Sequence, residues 1–275
     1  MASTRDVLLV GSGSLGSAVG RLLVADDRRV VALRRRAELV PTPLVGRSVD
    51  LTADDPELDD LDVAELVVAL TARPRSEESY RATYVDGMTR ALDALPALPD
   101  RAVLVSSTGV VGEQDPAELV TEDTPPAPGD GPAGVLLEAE QVFHDRVPHG
   151  VVLRLSGLYG RGSTYLQDRV RDGRIDDPHR WTNRIHRDDA AAAVVHLLGV
   201  DDPAPLYLGT DDEPAQLGAV AAYLATLLGA PAPPQADPAQ GHGKRLSNAR
   251  LRATGWVPRY PTFREGYAAE LADRP

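Results

Sequence analysis

Apolar residues along this chain fall into short unbroken runs, and stretches of helical spacing separate the runs. Val7-Leu8-Leu9-Val10 has strand length and ends in glycines, and Val30-Val31-Ala32-Leu33 is a second such run. Residues 66–70, 102–105 and 151–155 predict three more strands. Leu15, Val19, Leu22 and Leu23 repeat at the period of a helix over 15–24. Further helices are predicted over 77–95, 135–143, 190–198, 215–228 and 249–254, with Asp188 or Asp189 capping the fourth. Continuous apolar strands alternating with helices predict an α/β fold: a Rossmann-type, doubly wound parallel sheet covered on both faces. The alternation weakens after Ser156. The expected organisation is therefore a Rossmann core over 1–155 and a smaller C-terminal substrate lobe over 156–275, with about 182–210 returning to the core.

The polar segments refine this picture. Asp54, Asp55, Glu57, Asp59, Asp60 and Asp62 read as one solvated helix face. The stretches 124–132 and 230–234 are rich in Pro and Gly and predict loops. Hydrophobic residues make up 43% of the 275 and charged residues 25%, which fits a globular protein and excludes a disordered chain. With no Cys there is no disulfide, thiolate metal site or cysteine nucleophile, and six scattered His give no metal-ligand spacing, so no metal is expected. The net charge of −12 argues against a nucleic-acid partner. No apolar run approaches the ~20 residues of a membrane helix. The start, MASTRDVLLV, lacks a leader pattern. The expectation is a cytoplasmic monomer or homodimer with a small-molecule substrate and no membrane.

Gly11-Ser12-Gly13-Ser14-Leu15-Gly16 reads GxGxxG between a strand and a helix. The first glycine suits the tight turn, the second lets a pyrophosphate approach the backbone, and the third lets helix and strand pack closely. The helix N-terminus adds free N–H groups and a positive dipole end. A cofactor held through a bare ribose 2′-hydroxyl needs an acid about 20 residues after the first glycine. Here the end of the second strand carries Arg34, Arg35 and Arg36, with no acid before Glu38. Guanidinium forks suit a 2′-phosphate, so NADP(H) is favoured over NAD(H), with Arg34 and Arg35 as its ligands.

These residues and several later motifs resemble the extended and atypical short-chain dehydrogenase/reductases, the epimerase/dehydratase-like group. Asp50-Leu51 is similar to the family's adenine-contacting pair, and Leu70-Thr71-Ala72 to its cofactor-lining turn. Tyr80-x-x-x-Tyr84-Val85-x-Gly87 resembles Tyr-x-x-x-Asn-Val-x-Gly, and Ser106-Ser107-Thr108-Gly109-Val110-Val111-Gly112 resembles Ser-Ser-x-x-Val-Tyr-Gly. Arg154 to Gly160 and Arg184 to Asp189 match two further family motifs in order. The resemblance implies that Asp50, Leu51, Leu70, Thr71, Ala72, Ser106, Ser156 and Tyr159 line the cofactor.

The departures bear on activity. The family's Tyr-x-x-x-Lys pair falls on Pro132 and Leu136, and the only Lys in the chain is Lys244. Ser107, at the place of the family's catalytic Ser/Thr, remains. Ser107 and Tyr84 are the candidate catalytic residues, and the Tyr84 phenol is expected near its ordinary pKa of ~10. Arg154, Arg161 and Arg184 are candidates for an anionic substrate or for salt bridges, and Lys244 and Arg245 for an anionic group or for a solvated basic turn. The favoured function is an NADP(H)-dependent oxidoreductase acting on a small carbonyl or hydroxyl compound. The alternatives are a non-catalytic NADP(H)-binding sensor or scaffold, and a sugar-nucleotide-type epimerase/dehydratase.

Overall fold

The computed structural model describes residues 5–272, so the first four residues of the start discussed above lie outside the described residues. Strands β1 (Asp6–Val10), β2 (Val30–Arg34), β3 (Val45–Ser48), β4 (Val63–Val68) and β5 (Arg101–Ser107) join Val151–Leu155 and Leu206–Gly209 in a seven-stranded sheet. Its order is Leu206–Gly209, Val151–Leu155, β5, β4, β1, β2, β3. β1 pairs in parallel with β2 and β4, β2 with β3, and β4 with β5. The chain runs outward from β1 to β3 and then returns to the other side of β1. The ends of β1 and β4 therefore flank a topological switch point, where doubly wound sheets hold ligands.

The chain forms two compact units. The first, described over residues 5–110, 128–154 and 191–207, is built on the sheet. Leu8, Val10, Leu66, Val68, Leu104 and Phe143 are among the residues of its core, all 2% exposed or less. The second, described over residues 111–127, 155–190 and 208–272, packs Val220, Leu224, Phe263 and Tyr267 into a core of its own.

All five predicted strands and the six helices predicted from apolar spacing form, with shifted ends. β4 runs from Val63 and stops at Val68, short of the predicted end at 70. Two sheet strands escaped the periodicity. β3 contains a glycine and an arginine and is mostly exposed, as suits an edge strand, and Leu206–Gly209 is only four residues long. The acidic run is irregular and not helical. Leu58 and Leu61, 1% and 4% exposed, pin it to the core, while Asp60 pairs with Arg47 and Asp55 with Arg90. Pro132 is the first residue of helix α4 (Pro132–Arg146), where its missing N–H costs nothing, and not the last of a loop. Neither Asp188 nor Asp189 is the N-cap, because the helix begins at Arg187, and the Asp189 carboxylate accepts from the backbone N–H groups of Arg259 (2.7 Å) and Tyr260 (3.0 Å). Among the described residues no helix is long and apolar enough to cross a membrane.

Asp211, in the second unit, is 1% exposed, and burial pushes its carboxyl up to about 8 against the pull of Arg184, with Glu213 and Asp212 raising it further. The folded chain thus keeps a proton that the unfolded chain gives up above pH ~4. This contribution to stability is full below that pH, declines as pH rises and is gone above about 8. Asp211→Asn is expected to melt higher than the parent at pH 9 and to lose that advantage toward pH 4. An advantage that does not change with pH would refute the assignment.

Candidate functional site

The loop after β1 shows why each of its glycines is present. Gly11 has φ +99°, and a Cβ there would lie 2.5 Å from the Ala69 carbonyl oxygen. A Cβ on Gly16 would lie 2.1 Å from the carbonyl oxygen of Gly11, so helix α1 (Ser14–Ala25) and β1 meet without a side chain between them. Gly13 differs. Its φ is an ordinary −76°, and a Cβ would meet nothing within 4 Å. No contact within the protein demands a glycine at this position. Gly13 also precedes α1 without a side-chain cap, and its own carbonyl accepts from Ser17 N–H (2.9 Å). The N–H groups of the first turn, at Ser14, Leu15 and Gly16, have no carbonyl partner within the helix. Ser12, 1% exposed, shares a hydrogen bond of 3.0 Å between its Oγ and that of Ser17.

A cleft of about 550 Å³ opens beside this loop. Gly11, Ser12, Gly13, Arg34, Arg35, Asp50, Leu51, Leu70 and Thr71, all singled out in the sequence, line it together. Arg36, the third arginine of the cluster, lines it too, and the wall also holds Thr52, Arg73, Ser76 and Ser79, which the sequence did not single out. They carry no motif and reach the cleft from loops and a helix start. Asp50 Oδ1 accepts from Thr52 Oγ1 (2.7 Å) and N–H (3.1 Å); these bonds, with the Arg35 charge, hold the carboxyl below the usual range. Leu51 is fixed through its carbonyl by Arg90 Nη1 (2.9 Å).

The floor on the β4 side is held by Tyr84. The helical stretch 77–93 is α-helical over Glu77–Tyr80 and Met88–Asp93 and π-helical over Arg81–Gly87, with Tyr84 at the centre of the π segment. π-Turns are frequent at functional sites because they re-aim side chains. The Tyr84 hydroxyl donates to the Leu70 carbonyl (3.1 Å). Burial pushes the phenol up to about 12, not the ordinary value expected from the sequence.

Ser106 and Ser107 end β5. Ser106 Oγ donates to Glu140 Oε1 (2.5 Å), and Arg154 grips the same carboxylate through Nε (3.0 and 3.1 Å) and Nη2 (2.7 Å). Arg154 and Glu140 are 4% and 5% exposed, so Arg154 is a buried anchor of the strand end and is not open to a substrate. Ser107 is half-buried, and its Oγ accepts from Gly109 N–H (3.1 Å), leaving the hydroxyl hydrogen to donate elsewhere. Leu136, on α4, is 8% exposed, and no phenol or ammonium stands at 132 or 136.

Ser14, Leu15, Gly16, Ala72, Ser106, Ser107 and Tyr84 lie in the first unit but outside the lining of the cleft; Ser156 and Tyr159 belong to the second unit. There the Ser156 Oγ and the Tyr159 hydroxyl are buried with no hydrogen-bond partner among the described residues. Lys244 donates to the Gly112 carbonyl (2.9 Å), a tie within the second unit.

The uncapped helix start, the side-chain-free Gly13 and the basic turn after β2 fit a dinucleotide's phosphates. The class is thus a Rossmann-type protein with a glycine-rich loop at the switch point of its sheet. No family model and no curated protein matches the chain. Among solved structures, it is 34% identical, with a TM-score of 0.87 and 98% of each chain covered, to a protein of Methylobacillus flagellatus assigned, without a demonstrated activity, to the NAD-dependent epimerases/dehydratases. It is 26% identical (TM-score 0.76, covering 98% and 99%) to a Silicibacter pomeroyi protein of unknown function. A human epimerase-family protein solved with NADPH shares the fold, at 19% identity and a TM-score of 0.78, covering 98% and 100%. The chain belongs to the NAD-dependent epimerase/dehydratase family.

Proposed function

We propose that this protein is an NADP(H)-dependent oxidoreductase acting on a small carbonyl or hydroxyl compound. The observation that carries the reading is Gly13, a glycine for which the protein itself has no need, at the mouth of a cleft that Arg35 and Arg36 also line. Both arginines are exposed, and among the described residues neither guanidinium is held by a hydrogen bond, which suits a 2′-phosphate. The sequence reading paired Arg34 with Arg35, but Arg34 is already bonded to two backbone carbonyls. The backbone around Gly13 and the start of α1 would receive the pyrophosphate, and the Asp50-Leu51 and Leu70-Thr71 walls the adenosine. The nicotinamide, when bound, supplies or accepts the hydride.

The chain's own residues must polarise the substrate oxygen and move a proton. Ser107 is the proposed polarising group, because the Gly109 N–H leaves its hydrogen free to donate to a developing oxyanion. Tyr84 is the proposed proton donor, and a phenol at about 12 stays protonated at neutral pH, which suits carbonyl reduction. To act it must leave the Leu70 carbonyl. That commitment, together with Pro132 and Leu136 where a working pair would stand, favours a second reading: a non-catalytic NADP(H) sensor.

Calorimetric titration with NADPH and NADH tests the binding, and NADPH consumption over a panel of small carbonyls tests the chemistry. With an active carbonyl in hand, Ser107→Ala and Tyr84→Phe are each expected to lose about two orders of magnitude in turnover. Unchanged turnover in Tyr84→Phe removes it from the mechanism. Tight NADPH binding without turnover on any carbonyl selects the sensor.

A further inference from the structure

Three arginines follow one another at the end of β2, and their surroundings differ. Arg35 and Arg36 are exposed. Arg34 is half-buried, and its Nη1 donates both to the carbonyl of Ser12 (2.9 Å) and to that of Leu39 (2.8 Å). Ser12 sits between the first two glycines of the loop after β1, and Leu39 closes the short turn Ala37–Leu39 that follows the arginines. One nitrogen thus bridges the glycine loop, which lines the cleft, and the turn that follows the arginines.

We infer that Arg34 is a positioning residue, a strut that holds the phosphate loop against the turn after β2 and contributes to binding whatever the ligand carries at its 2′ position. The inference rests on the dinucleotide reading above and divides the work among the arginines: Arg35 and Arg36 read the 2′-phosphate, while Arg34 shapes the bed for the pyrophosphate. The physical reason lies in the carbonyls. A carbonyl oxygen beside an anion site repels a phosphate, and a guanidinium bonded to it cancels much of that dipole while fixing its direction. Ser12 has few other restraints: its Oγ reaches Ser17, and the Ser17 hydroxyl approaches its carbonyl only at 3.4 Å.

The test is a comparison of ratios. In Arg34→Ala, dissociation constants for NADPH and NADH are expected to rise by the same factor, about tenfold for the loss of charge-assisted bonds to two carbonyls. The preference between the cofactors stays at the parent's value. Arg34→Lys, whose ammonium can donate to both carbonyls, is expected to recover most of the loss. Arg35→Ala is expected to weaken NADPH and leave NADH unchanged. A readout without cofactor accompanies these: amide hydrogen exchange over residues 12–16 of the ligand-free protein is expected to quicken in Arg34→Ala and not in Arg35→Ala. Should Arg34→Ala fail to fold, Arg34→Gln keeps the aliphatic stem and serves for the same ratios. A loss confined to NADPH in Arg34→Ala makes Arg34 a phosphate ligand and overturns the inference alone, and unchanged affinities with unchanged exchange also overturn it. A parent protein that binds neither cofactor overturns the dinucleotide reading, and this inference with it.

Discussion

Gly13→Val is expected to abolish dinucleotide binding and leave a folded protein. The backbone at Gly13, φ −76° and ψ −162°, is extended, and a Cβ added there meets no protein atom within 4 Å. Valine is a poorer helix-start residue than glycine, which costs on the order of 1 kcal/mol and lowers the melting temperature by a few degrees. The isopropyl group instead occupies the opening of the cleft, where a pyrophosphate would approach the backbone. Gly11→Val is the matched control with the opposite signature. At φ +99° and 2.5 Å from the Ala69 carbonyl oxygen it strains the chain whether or not a ligand is present, so its melting temperature should fall sharply. Titration of Gly13→Val with NADPH, beside a thermal melt, separates the two. Binding equal to the parent's would show that this loop is not the phosphate site.

The second large effect is on cofactor choice. Replacing Arg35 and Arg36 together by alanine is expected to erase most of a preference for NADPH while leaving NADH affinity near the parent's value. Each lost charge-assisted contact to a phosphate is worth about 1.5–3 kcal/mol, or ~10- to 100-fold in affinity. Because both side chains are exposed, ionic strength matters, and the preference should shrink as salt rises. Equal affinities for NADPH and NADH in the unmutated protein would sink the assignment. In that case Asp50, whose carboxyl Thr52 and Arg35 hold ionised, becomes the group to test as acceptor for a ribose hydroxyl.

Much of the first unit was legible because its signals are local. Val7 to Val10 and Val30 to Leu33 are buried on both faces and so read as continuous apolar runs, and the glycines of GxGxxG mark their turn directly. The edge strand β3 was not legible, since Val45-Gly46-Arg47-Ser48 has solvent on most of its surface and no reason to be apolar. The acidic segment misled for a related reason. Leu58 and Leu61 are its two anchors, and their spacing does not distinguish a helix from an irregular chain draped over the core.

Amino-acid order by itself determined the strand–helix alternation, the glycine-rich loop after the first strand, and the absence of a Tyr-x-x-x-Lys pair. Each of these depends on residues close in sequence. Tertiary structure alone decided what each polar group in the site is free to do. Arg34, Arg35 and Arg36 are equivalent as letters, but only Arg34 meets the carbonyls of Ser12 and Leu39. Tyr84 read as a free phenol until the π segment turned its hydroxyl onto Leu70. Arg154 read equally as a ligand for an anion or as one half of a salt bridge, and Glu140, which Ser106 also holds, makes it the salt bridge. The physical reason is the same in all three cases: a side chain's availability depends on its hydrogen-bond partners, and those partners come from segments that only folding brings together.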